Sequence, residues 1–277
     1  MTPIPGDGPV SPAARRAGSK DRLPALPVQK RDLISGLENG LAVIEAFDQE
    51  RSRLSITEVS ELTGLTRAAA RRHLLTLTHL GYATQEGKLF RLTPKVLRLG
   101  QSYMHSARLP RIIQPVLQKL AYAFQEASSA GVLQDDDVIA VAAASAGRVV
   151  SATLQPGTRV PAYCTSNGRI LVAAMQDGAL DQWLDRQLLA QLTPHTITNP
   201  ERLRLEILRA RVNGYTMVDQ ELELGLRTIA VPLRNFSGET VAALNVSVHA
   251  SRKRMDQLAD QFLPGLLHAQ EQLRSIL

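Results

Sequence analysis

The chain has 277 residues, of which 44% are hydrophobic and 21% charged, a composition typical of a soluble globular protein with a substantial core. No apolar run approaches the ~20 residues of a membrane-spanning helix, and the N-terminus lacks an apolar signal sequence. The single cysteine, Cys164, excludes an intrachain disulfide and a cysteine-rich metal site. We therefore expect a cytoplasmic protein with no membrane partner.

The formal net charge of +6 is concentrated in the first hundred residues, which hold 15 Lys and Arg against 10 Asp and Glu. Residues 62–98 contain seven basic residues and one acid, Glu86. A basic segment beside a nearly neutral remainder is typical of a phosphate-binding module joined to a separate domain. A solvated basic surface would give the same count, so charge alone leaves both interpretations open.

The N-terminal residues 1–31 contain six of the fifteen prolines and no apolar period, which predicts a disordered tail. Its basic residues either touch DNA or belong to a plain flexible tail. The next segment has apolar residues at three- and four-residue spacing, which predicts a helix that buries this face. These residues are Leu33, Leu37, Leu41, Ile44 and Phe47.

A helix-turn-helix pattern follows. Ser55 and Glu58 match the capping box of a short helix that ends at Gly64. Thr66 is a favourable N-cap for a second helix that runs to Gly81. The apolar stripe of that second helix consists of Ala70, Leu74, Leu77 and Leu80. Two helices joined by a short glycine-containing turn form a helix-turn-helix.

Two short strand-like runs surround Glu86-Gly87, which predicts a β-hairpin over 82–92 and makes residues 32–93 a winged helix-turn-helix. Thr93 and Pro94 favour a linker helix over 94–109, with a domain boundary at Pro110.

Residues 110–277 alternate blocks of strands and helices, typical of an α+β domain built on an antiparallel sheet. The predicted strands are 129–134, 138–144, 148–154, 158–164, 215–219, 226–234 and 240–249, and the predicted helices are 111–127, 167–176, 179–190, 200–212 and 255–276.

The helix after Thr66 carries small residues and arginines opposite its apolar stripe, as a recognition helix requires. We predict that Arg67 and Arg72 contact bases and that Arg71 holds a phosphate. Hydroxyls and free N–H groups at the helix starts are expected to contact phosphates, and the small Ala68 allows close approach to the DNA. The residues of the helix starts are Ser55, Thr57 and Thr66, and those of the wing that would meet the DNA are Lys88 and Arg91. An amphipathic helix that merely exposes its arginines is the alternative, but the order of helix, turn, basic helix and basic hairpin favours DNA binding.

Catalytic patterns are missing from the sequence. The six histidines lack metal-ligand spacing, and there is neither a phosphate-binding glycine loop nor a nucleophile elbow around a serine. Cys164 is interpreted as a packing residue. We expect neither an enzyme nor a cofactor or metal. A DNA-binding protein without a ligand remains an alternative, which ligand-dependent DNA affinity would exclude.

Several of these motifs together resemble the IclR family of transcriptional regulators. The matching segments of the first half are 40–44, 62–72, 80–82 and 92–100, and those of the second half are 214–215, 219–223, 225–227 and 229–232. The resemblance covers nearly everything after residue 32. Segments 66–72 and 163–169 are most similar to the branch that regulates aromatic-acid catabolism through the β-ketoadipate pathway.

The resemblance implies a GAF-like effector-binding domain, a double-stranded DNA operator, a homodimer or dimer of dimers, and RNA polymerase as a partner if the protein activates transcription. Effectors of that branch are small organic acids that include 4-hydroxybenzoate, protocatechuate and β-ketoadipate. A regulator of another carboxylate pathway, of the glyoxylate or acetate type, is the alternative.

The family's effector pocket lies beside its sheet. Free N–H groups at the start of the helix near residue 167 would form a carboxylate cradle. The residues implied as effector contacts are Ser166, Asn167, Gly168, Asp219, Thr228, Asn245 and Ser247, with Arg159, Tyr163 and Arg169 as weaker candidates. The family often has cysteine at Thr228 and serine at Asn245, so the acid itself stays open, and polar residues on an exposed sheet face are the alternative.

Overall fold

A computed structural model describes residues 29–48, 50–146 and 155–277. The chain divides into two compact units between Leu99 and Gly100. Most of the expected disordered tail, residues 1–28, and the predicted strand 148–154 lie outside the described residues.

The described part of the first unit is a small helical domain. Its elements are a 3₁₀ turn (Lys30–Asp32), α1 (Ser35–Glu45), β1 (Leu54–Ser55), α2 (Ile56–Thr63), α3 (Arg67–His79), β2 (Ala83–Glu86), β3 (Leu89–Leu92) and a second 3₁₀ turn (Pro94–Val96). The three strands form an antiparallel sheet in the order β1-β3-β2. The predicted winged helix-turn-helix is confirmed. Strand β1 was not predicted because two residues are too short to show a period of two.

Local capping fixes the ends of α2 and α3. The Glu58 N–H donates to Ser55 Oγ at 3.3 Å, and the Ser55 N–H donates to the Glu58 carboxylate at 2.7 Å. Gly64 ends α2 with φ of 70°, in the left-handed region that favours glycine. The hydroxyl of Thr66 accepts the N–H of Ala69 at 3.2 Å. These predicted helix boundaries are confirmed.

The buried face of α1 differs from the prediction. Of the five predicted residues, Leu33, Leu37 and Leu41 are exposed, while Ile44 and Phe47 pack against the core as predicted. Val43, which was not predicted, is fully buried. Helix α1 contacts α3 on the side of Gly40, whose small size brings the chain near His73. A leucine-rich stripe was therefore mistaken for the stripe that faces the partner helix. Leu80 is also half exposed, because α3 ends before it.

Helix α4 (Leu97–Ser106) spans the division between the two units. The next helix, α5 (Arg108–Phe124), already contains Pro110, so the predicted break at Pro110 was misplaced and lies at Ala107. A proline is tolerated in a first helical turn because the N–H groups there have no helical acceptor.

The second unit continues with β4 (Ala127–Gln134), β5 (Asp137–Ala144), β6 (Arg159–Pro161), α6 (Ser166–Ala173), α7 (Asp177–Asp185), α8 (Pro200–Asn213), β7 (Thr216–Asp219), β8 (Leu226–Arg234), β9 (Thr240–His249) and α9 (Met255–Arg274). Its six described strands form an antiparallel sheet in the order β6-β5-β4-β9-β8-β7. The predicted α+β fold is confirmed. Strand β6 and helix α7 are shorter than predicted.

The two faces of this sheet pack against different helices. Ile229, Val231 and Val246 face α5 and α9, whereas Ala230 and Ala243 face α6 to α8. All eight residues of α6 are buried. Within the described part of the chain, no helix is long and apolar enough to cross a membrane. That part also holds no group of three or more His, Cys, Asp and Glu side chains suited to a metal ion.

Candidate functional site

Helix α3 separates a buried stripe from a basic surface. Ala70, Leu74 and Leu77 are buried, and at 3.6 residues per turn Ala68 and Arg72 lie nearly opposite them. The side chains of Arg67 and Arg71, on the flank of the helix, are exposed as well. None of the three arginines makes an ion pair with another described residue. Three unpaired guanidinium groups are therefore presented by one rigid helix, in a form that suits phosphates and guanine edges.

The wing is less basic than the sequence suggested. Glu86 lies 2.8 Å from Arg91 and 3.5 Å from Arg53, so one carboxylate is shared by two cations. Lys88 at the turn is exposed and has no ion-pair partner in the described ranges. Of the two predicted wing contacts, Lys88 is free to meet a phosphate, whereas Arg91 would first have to leave Glu86.

The hydroxyls before α2 and α3 serve as helix caps. Ser55 and Thr66 use their oxygen lone pairs to accept backbone N–H groups, which leaves each O–H hydrogen available to donate. Thr57, in the first turn of α2, is half-buried. Hydrogen bonds from the Ser55 backbone hold the pKa of Glu58 below its usual value.

The second unit contains a cavity between the first turn of α6 and the sheet. Four of the predicted effector contacts line it together: Ser166, Asn167, Thr228 and Asn245. Its remaining lining residues are Val138, Ala140, Val160, Cys164, Thr165, Val218, Glu221, Leu222 and Leu226. Most of these walls are apolar, so the few polar groups are concentrated at the start of α6 and on the adjoining strands.

The start of α6 carries polar groups without partners. Ser166 Oγ and Asn167 Oδ1 are shielded from solvent and make no hydrogen bond in the described structure. The backbone N–H groups of these two residues likewise have no acceptor among the described residues. Buried polar groups are normally satisfied, because each one left unpaired costs about 1–3 kcal/mol. The free N–H groups and the Ser166 hydroxyl can donate to a ligand that supplies acceptors, such as a carboxylate, whereas Asn167 Oδ1 can only accept from a donor.

Gly168 has a packing role in this turn. Its N–H donates to the Thr165 hydroxyl at 3.2 Å, and its Cα lies against the backbone of Ala162. A Cβ at this position would lie 2.1 Å from the Ala162 carbonyl oxygen. Only glycine allows α6 to begin this close to the preceding segment, so Gly168 positions Ser166 and Asn167.

A buried ion pair underlies the cavity. The Arg169 guanidinium donates to Glu221 Oε2 at 2.6 Å, and both side chains are less than a tenth exposed. The same oxygen accepts the N–H of Ile197 at 3.1 Å, and Arg169 also donates to the Tyr163 carbonyl. Arg169 is therefore committed to Glu221, while Glu221 itself faces the cavity.

The polar residues on β8 and β9 form a short network. Thr228 pairs with Ser247 across the two strands, and Ser247 shares a sheet face with Asn245. The Ser129 hydroxyl donates to Asn245 Oδ1 at 2.6 Å, and Asn245 Nδ2 lies 3.4 Å from Ser247 Oγ. Ser247 is buried behind this network and does not line the cavity.

Asp219 lies on the other face of the sheet. Val218 pairs with Thr228 on the cavity face, so Asp219 and its partner Arg227 point the opposite way. Arg227 Nε donates to Asp219 at 2.7 Å. Burial alone would raise the pKa of Asp219, but hydrogen bonds from Arg227 and Gln220 outweigh it and hold the pKa below its usual value. The structure thus engages Asp219 in an ion pair away from the cavity.

The weaker candidates also have other partners. Arg159 pairs with Asp137 on β5, and the Tyr163 hydroxyl donates to the Ala190 carbonyl at 2.7 Å. Burial raises the pKa of the Tyr163 hydroxyl, and it raises the pKa of the Cys164 thiol to about 12. Cys164 therefore stays protonated at neutral pH and packs as an apolar residue.

Sequence reasoning missed Glu221, although it lies in the segment 219–223 that matched the family. No hydrophobic periodicity of a helix or strand points to Glu221, because residues 220–225 form an irregular connection between β7 and β8. A buried acid in such a connection becomes recognisable only when its partner, Arg169, is brought to it by the fold.

Comparisons with known proteins identify the family of both units. A model of the C-terminal domain of bacterial IclR transcriptional regulators matches residues 101–275, and a model of the IclR helix-turn-helix domain matches residues 36–87. The Pca regulon regulatory protein of Pseudomonas putida is 45% identical over 243 residues, which cover 87% of this chain and 84% of that protein. The p-hydroxybenzoate hydroxylase transcriptional activator of Acinetobacter baylyi is 39% identical over 255 residues, which cover 90% of this chain and 94% of that protein.

One solved structure bears on the second unit. It is a double mutant of the PobR inducer-binding domain from Acinetobacter in complex with 3-hydroxybenzoic acid. It is 32% identical to this chain with a TM-score of 0.59, and the match covers 62% of this chain and all of that domain.

Proposed function

The chain belongs to the IclR family of bacterial transcriptional regulators, and from this premise we propose that it controls genes of aromatic-acid catabolism in response to a small aromatic acid. As a member of that family it is a DNA-binding regulator and not an enzyme. The relatives that act in the Pca regulon and on p-hydroxybenzoate hydroxylase support the aromatic branch over one for glyoxylate or acetate.

One observation carries the ligand assignment: unpartnered Ser166 and Asn167 groups begin a buried helix inside a cavity that is otherwise mostly apolar. In the proposal, the carboxylate of the acid accepts from the backbone N–H groups of this turn and from the Ser166 hydroxyl. The ring packs against Val138, Val160 and Leu226. Thr228 and Asn245 border the same space. A monoanionic acid with an apolar ring matches the chemistry of both halves of this cavity, which measures about 30 Å³ and has to widen to admit the ring.

The DNA assignment depends on α3. We propose that the winged helix-turn-helix, residues 32–93, reads an operator through Arg67 and Arg72, with Arg71 and Lys88 on phosphates. A linker segment that ends at Ala107 would join it to an effector domain that begins with α5 and extends to residue 277. The protein would act in the cytoplasm as a homodimer or dimer of dimers, and RNA polymerase would be a partner if it activates.

Calorimetric titration of the full-length protein tests the ligand. We expect 4-hydroxybenzoate, 3-hydroxybenzoate or protocatechuate to bind, and Ser166→Ala to weaken that binding by about tenfold because one hydrogen bond to a charged group is lost. Thr158→Ala, outside the cavity, is the control. Binding of glyoxylate or acetate without any aromatic acid would contradict the proposal.

Selection from random DNA followed by gel shifts tests the operator reading. Arg72→Ala should cost roughly 1–3 kcal/mol and relax the sequence preference at one position if Arg72 reads a base. Arg209→Ala removes the same charge from an exposed site on α8 and should change nothing. Equal affinities of both variants and the unmodified protein would remove Arg72 from the interface.

A further inference from the structure

Glu221 places a carboxylate oxygen at the wall of the cavity without a partner. Its Oε2 accepts two hydrogen bonds, from Arg169 at 2.6 Å and from the Ile197 N–H at 3.1 Å. Its Oε1 accepts none from the described residues. The side chain is 7% exposed, and Oε1 is not among the unpartnered side-chain atoms that are fully shielded, so this oxygen keeps some accessible surface. One half of the carboxylate is anchored, and the other half is available to a molecule in the cavity.

The anchoring makes this oxygen rigid. Arg169 belongs to the buried α6 and Ile197 to the segment before α8, so Oε2 is held from two directions. Because Arg169 balances the charge of Glu221, the pair adds no net charge to the site. What remains is a fixed acceptor, and a ligand that covers it without supplying a donor leaves it unsatisfied at a cost in free energy.

We propose that Glu221 is the residue that makes the site selective for hydroxylated acids, because its free oxygen accepts the O–H of a hydroxyl group on the ring. This inference rests on the proposed function, which places the carboxylate of the same acid at the start of α6. An ionised carboxylate has no hydrogen to donate. An unsubstituted ring or an ether oxygen therefore leaves Oε1 unsatisfied, and a second carboxylate on the ring sets two acceptor oxygens against each other.

The first experiment needs no variant. Full-length protein is titrated in a calorimeter with 4-hydroxybenzoate, 3-hydroxybenzoate, 4-methoxybenzoate, 3-methoxybenzoate, benzoate and terephthalate. We expect the better hydroxybenzoate to bind at least about tenfold more tightly than its methoxy counterpart and than benzoate, since only the hydroxyl donates. Terephthalate should bind most weakly, because its second carboxylate faces Glu221.

The second experiment uses Glu221→Gln, which keeps an acceptor for Arg169 and presents an amide that donates. The preference for hydroxyl over methoxy should fall to within about threefold in this variant, while benzoate still binds. Glu201→Gln removes the same charge from the exposed first turn of α8 and should keep the full preference. The ratio of the affinities for the hydroxy and methoxy acids reports on the Glu221 contact, because a general loosening of the domain would weaken both affinities alike.

The outcomes separate the two ideas. Equal affinities for the hydroxy, methoxy and unsubstituted acids in the unmodified protein overturn the role of Glu221 and leave the acid site intact. A folded Glu221→Gln that keeps the full preference overturns it too. Should Glu221→Gln fail to fold, the ligand series on the unmodified protein still decides. If none of the acids binds, the proposed function fails, and this inference fails with it.

Discussion

Replacing Gly168 with alanine should destabilise the second unit far more than the same change at Gly178, the other glycine of α6 and α7. The added Cβ would lie 2.1 Å from the carbonyl oxygen, 2.3 Å from the Cα and 2.5 Å from the carbonyl carbon of Ala162. All three are backbone atoms, so no side-chain rotation relieves the clash. Either the start of α6 or the segment at Ala162 has to move.

The magnitude follows from that geometry. Overpacking a well-packed core costs about 1–3 kcal/mol, and a clash with backbone belongs at the upper end or above it. For a unit of this size, 3 kcal/mol corresponds to a fall of roughly 6–12 °C in the melting temperature. Because Ser166 and Asn167 move with the helix, the affinity for an aromatic acid should fall as well.

Thermal unfolding followed by circular dichroism measures the first effect, and calorimetric titration with 4-hydroxybenzoate measures the second. Gly178→Ala is the matched control: it lies in the first turn of α7, where a Cβ meets nothing within 4 Å. That variant should be neutral or gain up to about 1 kcal/mol. A Gly168→Ala protein with the same melting temperature as the unmodified protein would refute the packing argument.

Three further changes have definite expectations. Thr66→Ala removes the N-cap of α3 and should lower the free energy of unfolding by about 0.5–2 kcal/mol in urea titrations, with Thr66→Ser recovering most of it; equal stability of all three proteins would contradict the cap. Glu86→Gln releases Arg91 and should strengthen DNA binding and steepen its dependence on salt, which gel shifts at several salt concentrations measure; an unchanged slope would show that the wing stays off the DNA. Because the folded-state pKa of Asp219 is lowered, its ion pair with Arg227 stabilises the fold above pH 3.8, the ordinary value, and is lost as pH falls through the lower folded pKa. Melting temperatures of Asp219→Asn should therefore depend less on pH below about 4 than those of the unmodified protein, and parallel acid profiles would contradict this.

Features set by neighbouring residues could be predicted from the sequence, and features set by distant ones could not. The capping box at Ser55 and the turn at Gly64 depend on four residues or fewer, so their chemistry is visible in the chain. The buried face of α1 depends on where α3 lies, and nothing in the spacing of its leucines shows this.

The candidate ligand site divides in the same way. The start of α6 could be predicted because Thr165 is a favourable cap, although the helix begins at Ser166 and includes Gly168, and the alternation of β9 puts Asn245 and Ser247 on one face. Asp219 was placed with them on family grounds, but a position one residue further along a strand points to the other face of the sheet. Glu221 required the fold, because its partner is 52 positions away in sequence.

The complete burial of α6 has a mechanical consequence. A helix with one face exposed to water can move toward the solvent without displacing the elements packed against its other face. This helix has no such free side, since all of its residues from Ser166 to Ala173 are enclosed by the sheet and α8. A ligand that displaced the first turn of α6 would therefore also displace the sheet and α8, because a close-packed interior has low compressibility and cannot absorb the movement locally.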